Sequence, residues 1–215
     1  MNLLYRLGRF LFRLAFRFYF RWRVCHADRV PVDGPLILAS SHASYLDPPL
    51  VGSGVSRVCH FLARATLFTN PLFGWVLREV CAIPVDRDGG SAAGLKTILN
   101  KLNEGGAIVL FPEGTRTVDG QLQKARSGIG LMALKSGAPV VPVRALGTFE
   151  AYGKGRRFPR PHRITLIYGE PMRFEQERAE AEACSRERLK VLYQEVADKI
   201  MEAIAGLEAD VKRNA

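Results

Sequence analysis

Short runs of nearly unbroken apolar residues, each bounded by glycine, proline or polar turns, constrain this chain most. Leu36–Ser40 reads LILAS, Val58–Arg64 VCHFLAR, Ala107–Phe111 AIVLF, Ala138–Ala145 APVVPVRA and Arg163–Tyr168 RITLIY. Runs of this length and character read as buried strands. Helical segments lie between them. Asn70 caps PLFGWVLREV with proline at the first helical position, Ser91 opens a helix to about Asn103, and Ser127–Ser136 reads as another. Arg186–Leu207 is a long mixed-charge helix placed on the outside. Strands alternating with helices imply an α/β fold, a single domain with a mainly parallel central sheet flanked by helices. A chain of 215 residues suits one such domain plus an appended segment.

The appended segment is N-terminal. MNLLYRLGRFLFRLAFRFYFRWR carries six arginines and no acid. On a helix, Arg6, Arg9, Arg13, Arg17 and Arg21 share an arc about 120° wide, and the leucines and most aromatics fall outside it. If the helix crossed a bilayer, Arg9, Arg13 and Arg17 would lie near the middle, at about 2.5–3.5 kcal/mol each. Arginines also interrupt every candidate secretory core. An amphipathic helix lying in the interface satisfies both faces, with its arginines among lipid phosphates. The sequence therefore divides into a membrane-binding segment, 1–28, and a catalytic or binding domain, 29–215. The plainer alternative is a helix packed on the protein's own core, with its arginines in water.

The net charge of +10 is patchy. A second acid-free basic cluster, YGKGRRFPRPHR, spans Tyr152–Arg163. Nucleic acid, an anionic membrane surface and phosphorylated substrates all fit such patches. No nucleic-acid-binding signature accompanies them, and nucleic acid is not expected as a partner. Cys25, Cys59, Cys81 and Cys184 are scattered without metal-ligand spacing, so no metal is expected and these read as packing cysteines.

Three polar groupings follow apolar runs, where a rigid scaffold positions loops for function. His42 and Asp47 lie in SHASYLDPP. On a regular helix they would be about 140° apart, but on a turn entering a helix they can meet. A carboxylate on one imidazole nitrogen fixes the tautomer and frees the other as a general base. The plain reading is an N-capping aspartate. Arg87 follows AIPV directly, and Glu113, Gly114, Thr115 and Arg116 follow AIVLF. Arginine matches phosphate oxygens with a planar fork, glycine lets backbone approach a ligand and threonine adds a hydroxyl. Glutamate would bind a hydroxyl or hold an arginine. Singly, each is equally a surface or ion-pair residue. Together they suit a small ligand with both phosphate and hydroxyl groups.

His42–Asp47 matches the HX4D motif of the glycerolipid acyltransferases, and FPEGTR is that family's most distinctive block. The order also fits: HX4D, an arginine after a short apolar run, FPEGTR, then the VVPV strand. Over about Pro31–Thr148 the chain closely resembles the bacterial 1-acyl-glycerol-3-phosphate acyltransferases. Ser41 stands where that family usually has asparagine, and Arg126 where lysine is usual. The resemblance implies that His42, oriented by Asp47, deprotonates a glycerol hydroxyl attacking a fatty-acyl thioester of CoA or acyl carrier protein. Arg87 and Arg116 would grip the acceptor's phosphate, Arg126 would assist, and Glu113, Gly114 and Thr115 would complete the acceptor site around the glycerol. It further implies lysophosphatidic acid as acceptor, no cofactor, and a peripheral place on the cytoplasmic face of the cell membrane. Phe68–Leu77, with Trp75, fits a further lipid contact, an acyl-tunnel wall or a core helix.

Three alternatives remain open at this point. An acyltransferase on another lysolipid, such as lyso-ornithine lipid, would not depend on an acceptor phosphate. A hydrolase would release free fatty acid without acceptor, although no GxSxG elbow is present. A non-enzymatic membrane binder would be indifferent to His42.

Overall fold

The computed structural model of the protein describes residues 3–85 and 92–213. The chain opens with α1 (Leu3–Phe18) and turns back sharply at Arg21, which takes the left-handed conformation with φ 46°. It then enters β1 (Arg23–Cys25) and β2 (Leu36–Ser40), followed by α2 (Asp47–Gly54), β3 (Cys59–Arg64), α3 (Pro71–Glu79) and β4 (Ala82–Val85). The sequence continues through α4 (Ala92–Asn103), β5 (Ala107–Leu110), α5 (Gly128–Ser136) and β6 (Val140–Leu146). The short α6 (Thr148–Tyr152), β7 (Thr165–Tyr168), α7 (Glu175–Ala183) and the long α8 (Arg186–Arg213) complete it.

The strands form one sheet in the order β1-β7-β6-β2-β5-β3-β4. Neighbours are parallel throughout except β6 and β7, which run antiparallel. The unbroken apolar runs now have their reason, because the central strands are covered on both faces. Ile37, Ala39, Ile108, Leu110 and Val140 point into a core shared with α4, α5 and α8. Their neighbours Leu36, Leu38, Ala107, Val109, Val141 and Val143 point the other way, into a core with α1 and α2. Each fully buried valine, leucine or isoleucine among them contributes about 1.5–3 kcal/mol.

This layering places the site. β2 and β5 are adjacent and parallel, yet α2 after β2 packs on one face and α5 after β5 on the other. Their loops diverge at the carboxyl end of the sheet and open a crevice, the usual ligand position in an open α/β sheet.

The N-terminal region departs from the expected division at residue 28. Phe16 and Phe20 are buried in the second core, with Trp22 packed against them, and β1 pairs with β7 through Arg23–Thr165 to Cys25–Ile167. The end of α1 and the strand that follows it are therefore built into the domain. A three-residue edge strand is too short to announce itself by pattern.

Where α5 crosses α8, Gly130 faces the backbone carbonyl of Tyr193, and a Cβ there would collide with it. Gly130→Ala would gain about 1 kcal/mol of helix propensity. Overpacking against an immovable backbone costs about 1–3 kcal/mol, occasionally more. The overpacking outweighs the gain, so the variant is expected to have a lower urea midpoint with an unchanged m-value. A midpoint equal to the parent's would show that α8 shifts freely.

Candidate active site

His42 follows β2 by two residues, and Asp47 is the first residue of α2. The tight turn between them brings the side chains together, with His42 Nδ1–H donating to Asp47 Oδ2 at 2.9 Å. The same oxygen accepts the backbone N–H groups of Ala43 and Ser44, both at 2.7 Å. Asp47 is wholly buried. The N-capping reading does not hold, because Leu46 is the cap residue of α2 and no side-chain cap bond forms there; the Asp47 carboxylate instead closes the turn before the helix and lies on the imidazole. The other face of the ring problem is solved by Phe111, stacked on the imidazole with centroids 3.9 Å apart and planes within 20°. Among the described residues no protein group hydrogen-bonds His42 Nε2, which leaves it available for a substrate proton.

FPEGTR folds into a turn in which the Gly114 N–H donates to the Phe111 carbonyl at 3.0 Å. Gly114 has φ +71° and lies under the Arg126 guanidinium, so a side chain there would be both strained and obstructed. The segment grips the main chain of His42 from both sides. Glu113 Oε1 accepts the His42 N–H at 2.8 Å, and the Thr117 N–H donates to the His42 carbonyl at 2.9 Å. Glu113 Oε2 accepts the Gln123 N–H at 3.0 Å. The Glu113 side chain is buried, and burial raises its pKa against the pull of these two N–H donors. Both Glu113 oxygens hold backbone donors, so this carboxylate ties the FPEGTR turn to the His42 main chain. Their partners lie 71 and 10 residues away in sequence, beyond any local pattern.

Arg116 lies flat over the Tyr45 ring, its guanidinium carbon 3.4 Å from the centroid, and Tyr45 in turn leans on Tyr152 at 5.2 Å. Among the described residues no carboxylate pairs with Arg116, and its Nη1 is buried without a hydrogen-bond partner. Stacking leaves the in-plane N–H edge free for an oxyanion. Tyr45, Phe111 and Gln123 were not singled out by sequence. The first two lie inside the motifs, where aromatics at those positions were the available signal. Thr115 and Arg126 are exposed beside this loop, and Arg87 lies outside the described residues. Ser41 donates no motif chemistry; its Oγ accepts the Ala145 N–H at 3.2 Å and extends the β2–β6 ladder into the site. Burial pushes the Cys59 thiol up to about 12 and it is fully enclosed, so it offers no nucleophile.

Residues 21–145 match the Acyltransferase family. The chain is 28% identical over 181 residues to the 1-acyl-sn-glycerol-3-phosphate acyltransferase of Bacillus subtilis (strain 168), covering 84% of this chain and 86% of that protein. It is 34% identical over 119 residues to the chloroplastic 1-acyl-sn-glycerol-3-phosphate acyltransferase BAT2 of Brassica napus, and there it spans only 34% of the longer relative. Among solved structures it resembles the 1-acyl-sn-glycerophosphate (LPA) acyltransferase PlsC from Thermotoga maritima. That similarity has a TM-score of 0.72 at 26% identity, covering 92% of this chain and 78% of that one.

Proposed function

This chain belongs to the Acyltransferase family, and from that membership we propose that it transfers a fatty-acyl group from an acyl thioester to the free hydroxyl of lysophosphatidic acid. The product is phosphatidic acid, and the donor is acyl-CoA or acyl carrier protein. The observation that carries the reading is the His42–Asp47 pair, held at 2.9 Å with Nε2 open beside a loop whose Arg116 has no carboxylate partner among the described residues. In the forward reaction Nε2 takes the hydroxyl proton as the oxygen bonds to the thioester carbonyl carbon. Asp47 stabilises the imidazolium that forms. The C–S bond then breaks, and the imidazolium returns the proton to the leaving thiolate. Direct transfer needs no enzyme nucleophile and no cofactor. Arg116, with Arg126 and Arg87, binds the acceptor phosphate, while Gly114 and Thr115 border the glycerol. Glu113 serves the site by holding His42.

The test combines purified protein in anionic micelles with lysophosphatidic acid and long-chain acyl-CoA, or acyl carrier protein, and follows free thiol and phosphatidic acid. Thiol release dependent on the acceptor is expected. Fatty acid released without acceptor would mean a hydrolase. Equal turnover of lyso-ornithine lipid would remove the phosphate from the specificity.

Tyr45 sharpens the role of Arg116. A partly desolvated cation–π contact is worth about 0.5–2 kcal/mol, so Tyr45→Ala is expected to raise KM for lysophosphatidic acid about 2- to 30-fold. KM for the acyl donor should hold. Tyr45→Phe keeps the ring and should match the parent. A loss shared by both variants would point to the hydroxyl instead.

We also infer a peripheral position on the cytoplasmic face of the membrane. Among the described residues no helix is long and apolar enough to cross a bilayer. Leu3, Leu7, Phe10, Leu11, Leu14 and Phe18 of α1 are all exposed and share an arc about 100° wide. Arg9 and Arg13 lie elsewhere on the helix: they donate to the carbonyls of Ser56 and Ser53 at the end of α2, at 3.0 and 2.8 Å. These two arginines anchor the helix to the domain, and Arg6 and Arg17 are left to edge the apolar stripe. That stripe suits the acyl boundary of an anionic bilayer. Leu72, Phe73 and Trp75 of α3 are likewise exposed, which favours a lipid contact over a core helix.

A further inference from the structure

The reaction uses nothing of Gly153–Arg163, yet this loop is tied to both the catalytic turn and α1. Ser44 pairs with Gly153 as an isolated bridge, and the Ser44 hydroxyl donates to the Tyr152 carbonyl at 2.7 Å. The Arg160 N–H donates back to the Ala151 carbonyl at 2.8 Å and closes the loop on itself. On its other side the Tyr19 hydroxyl donates to the Pro159 carbonyl at 3.1 Å, and the Ile164 N–H donates to the Phe20 carbonyl at 3.2 Å. The loop thus bridges the residues just after α1 and the segment carrying His42 and Asp47.

Its surface is unusual. Every residue from Arg157 to Arg163 is exposed. Lys154, Arg156, Arg157, Arg160 and Arg163 contribute charge with no acid among them, and among the described residues none forms an ion pair. Phe158 is 68% exposed at the tip, with Arg157 over its ring at 5.4 Å. Across the Tyr19 link lies Phe18, 72% exposed, with Arg17 and Arg21 also exposed. Simple solvation would explain the cations but not an aromatic held among them in water. A nucleotide phosphate calls for concave walls, and the run Arg157–Arg163, exposed at every residue, has none. An acidic protein would meet the cations but gives no reason for Phe158 and Phe18 to stand exposed on segments joined by the Tyr19–Pro159 hydrogen bond. Arginines interleaved with aromatics match the headgroup region of an anionic bilayer.

We propose that Gly153–Arg163 is a further lipid contact, with Phe158 in the interface and its cations on lipid phosphates. This rests on the reading of α1 as an interfacial helix and extends it. The protein then meets the membrane through this loop as well as through α1 and α3, and the Ser44–Tyr152 bond relates the loop to the catalytic turn.

The full chain would be tested as R157A/F158A/R160A, with Phe158→Ser as a milder variant and L7S/L11S as the α1 counterpart. Co-sedimentation with vesicles of phosphatidylglycerol and phosphatidylcholine is measured across salt, beside turnover of acceptor in those vesicles and in detergent micelles. The triple loop variant is expected to lose about tenfold or more in vesicle affinity, and Phe158→Ser a smaller share. Vesicle turnover should fall in step, while kcat and donor KM in micelles match the parent. Unchanged vesicle affinity would overturn the proposal, and so would a raised KM for acyl-CoA or acyl carrier protein in micelles with vesicle binding kept. Release of L7S/L11S alone would leave the α1 reading standing and remove the loop. Release of the loop variant alone would do the reverse.

Discussion

Replacing His42 with alanine is expected to lower kcat for acceptor-dependent thiol release by about 10⁴-fold, the full range of general-base catalysis. KM for either substrate should change little, because the imidazole acts on a proton in transit. Asp47→Asn is expected to cost less, about 10²- to 10³-fold. The reason lies in the three donors converging on Asp47 Oδ2: the Nδ1–H of His42 and the N–H groups of Ala43 and Ser44. They hold the amide oxygen of asparagine at that place and its NH₂ at the Oδ1 position, which has no partner. The imidazole keeps its tautomer, and only the negative charge that stabilises the imidazolium is lost. The double variant should be no slower than His42→Ala, since the pair acts as one unit. More than a tenth of parental activity in His42→Ala would remove the base from His42. Equal losses in the two single variants would mean that the asparagine flips and the tautomer is lost as well.

The parts of the molecule that could be read from sequence are those with local causes. Unbroken apolar runs reported the central strands because burial on both faces leaves no room for alternation. Asn70 reported the start of α3, and its side chain accepts the Phe73 N–H at 2.9 Å. Ordered motifs reported the loops after β2 and β5. Long-range pairings were not legible. A carboxylate in a motif loop reads as a ligand group, and nothing in FPEGTR indicates that Glu113 is taken up by backbone 71 residues away. The arginines of α1 read as one basic arc. Arg9 and Arg13 were drawn out of it by carbonyls at the end of α2, a destination fixed only by packing.

Glu113→Gln separates the two roles open to that residue. If its carboxylate gripped the glycerol, the amide would raise KM for the acceptor and leave kcat largely intact. The geometry predicts the opposite. A glutamine has one acceptor oxygen for two backbone N–H donors, so its NH₂ must face either His42 or Gln123. An unmet buried donor costs about 1–3 kcal/mol, and the His42 main chain is left held mainly by Thr117. We expect kcat to fall about 10²-fold, the scale on which small displacements of a reacting group are felt, with acceptor KM nearly unchanged and a lower thermal midpoint. The pH dependence of stability supplies an independent reading. Burial raises the Glu113 pKa, so between the ordinary glutamate value and the raised one the folded protein holds more proton than the unfolded chain. This residue's contribution to stability therefore falls as pH rises through that window. Glu113→Gln does not titrate and should lack that slope, so its stability deficit should narrow as the pH rises. A deficit independent of pH, together with a raised acceptor KM, would return Glu113 to the acceptor and leave Thr117 as the hold on His42.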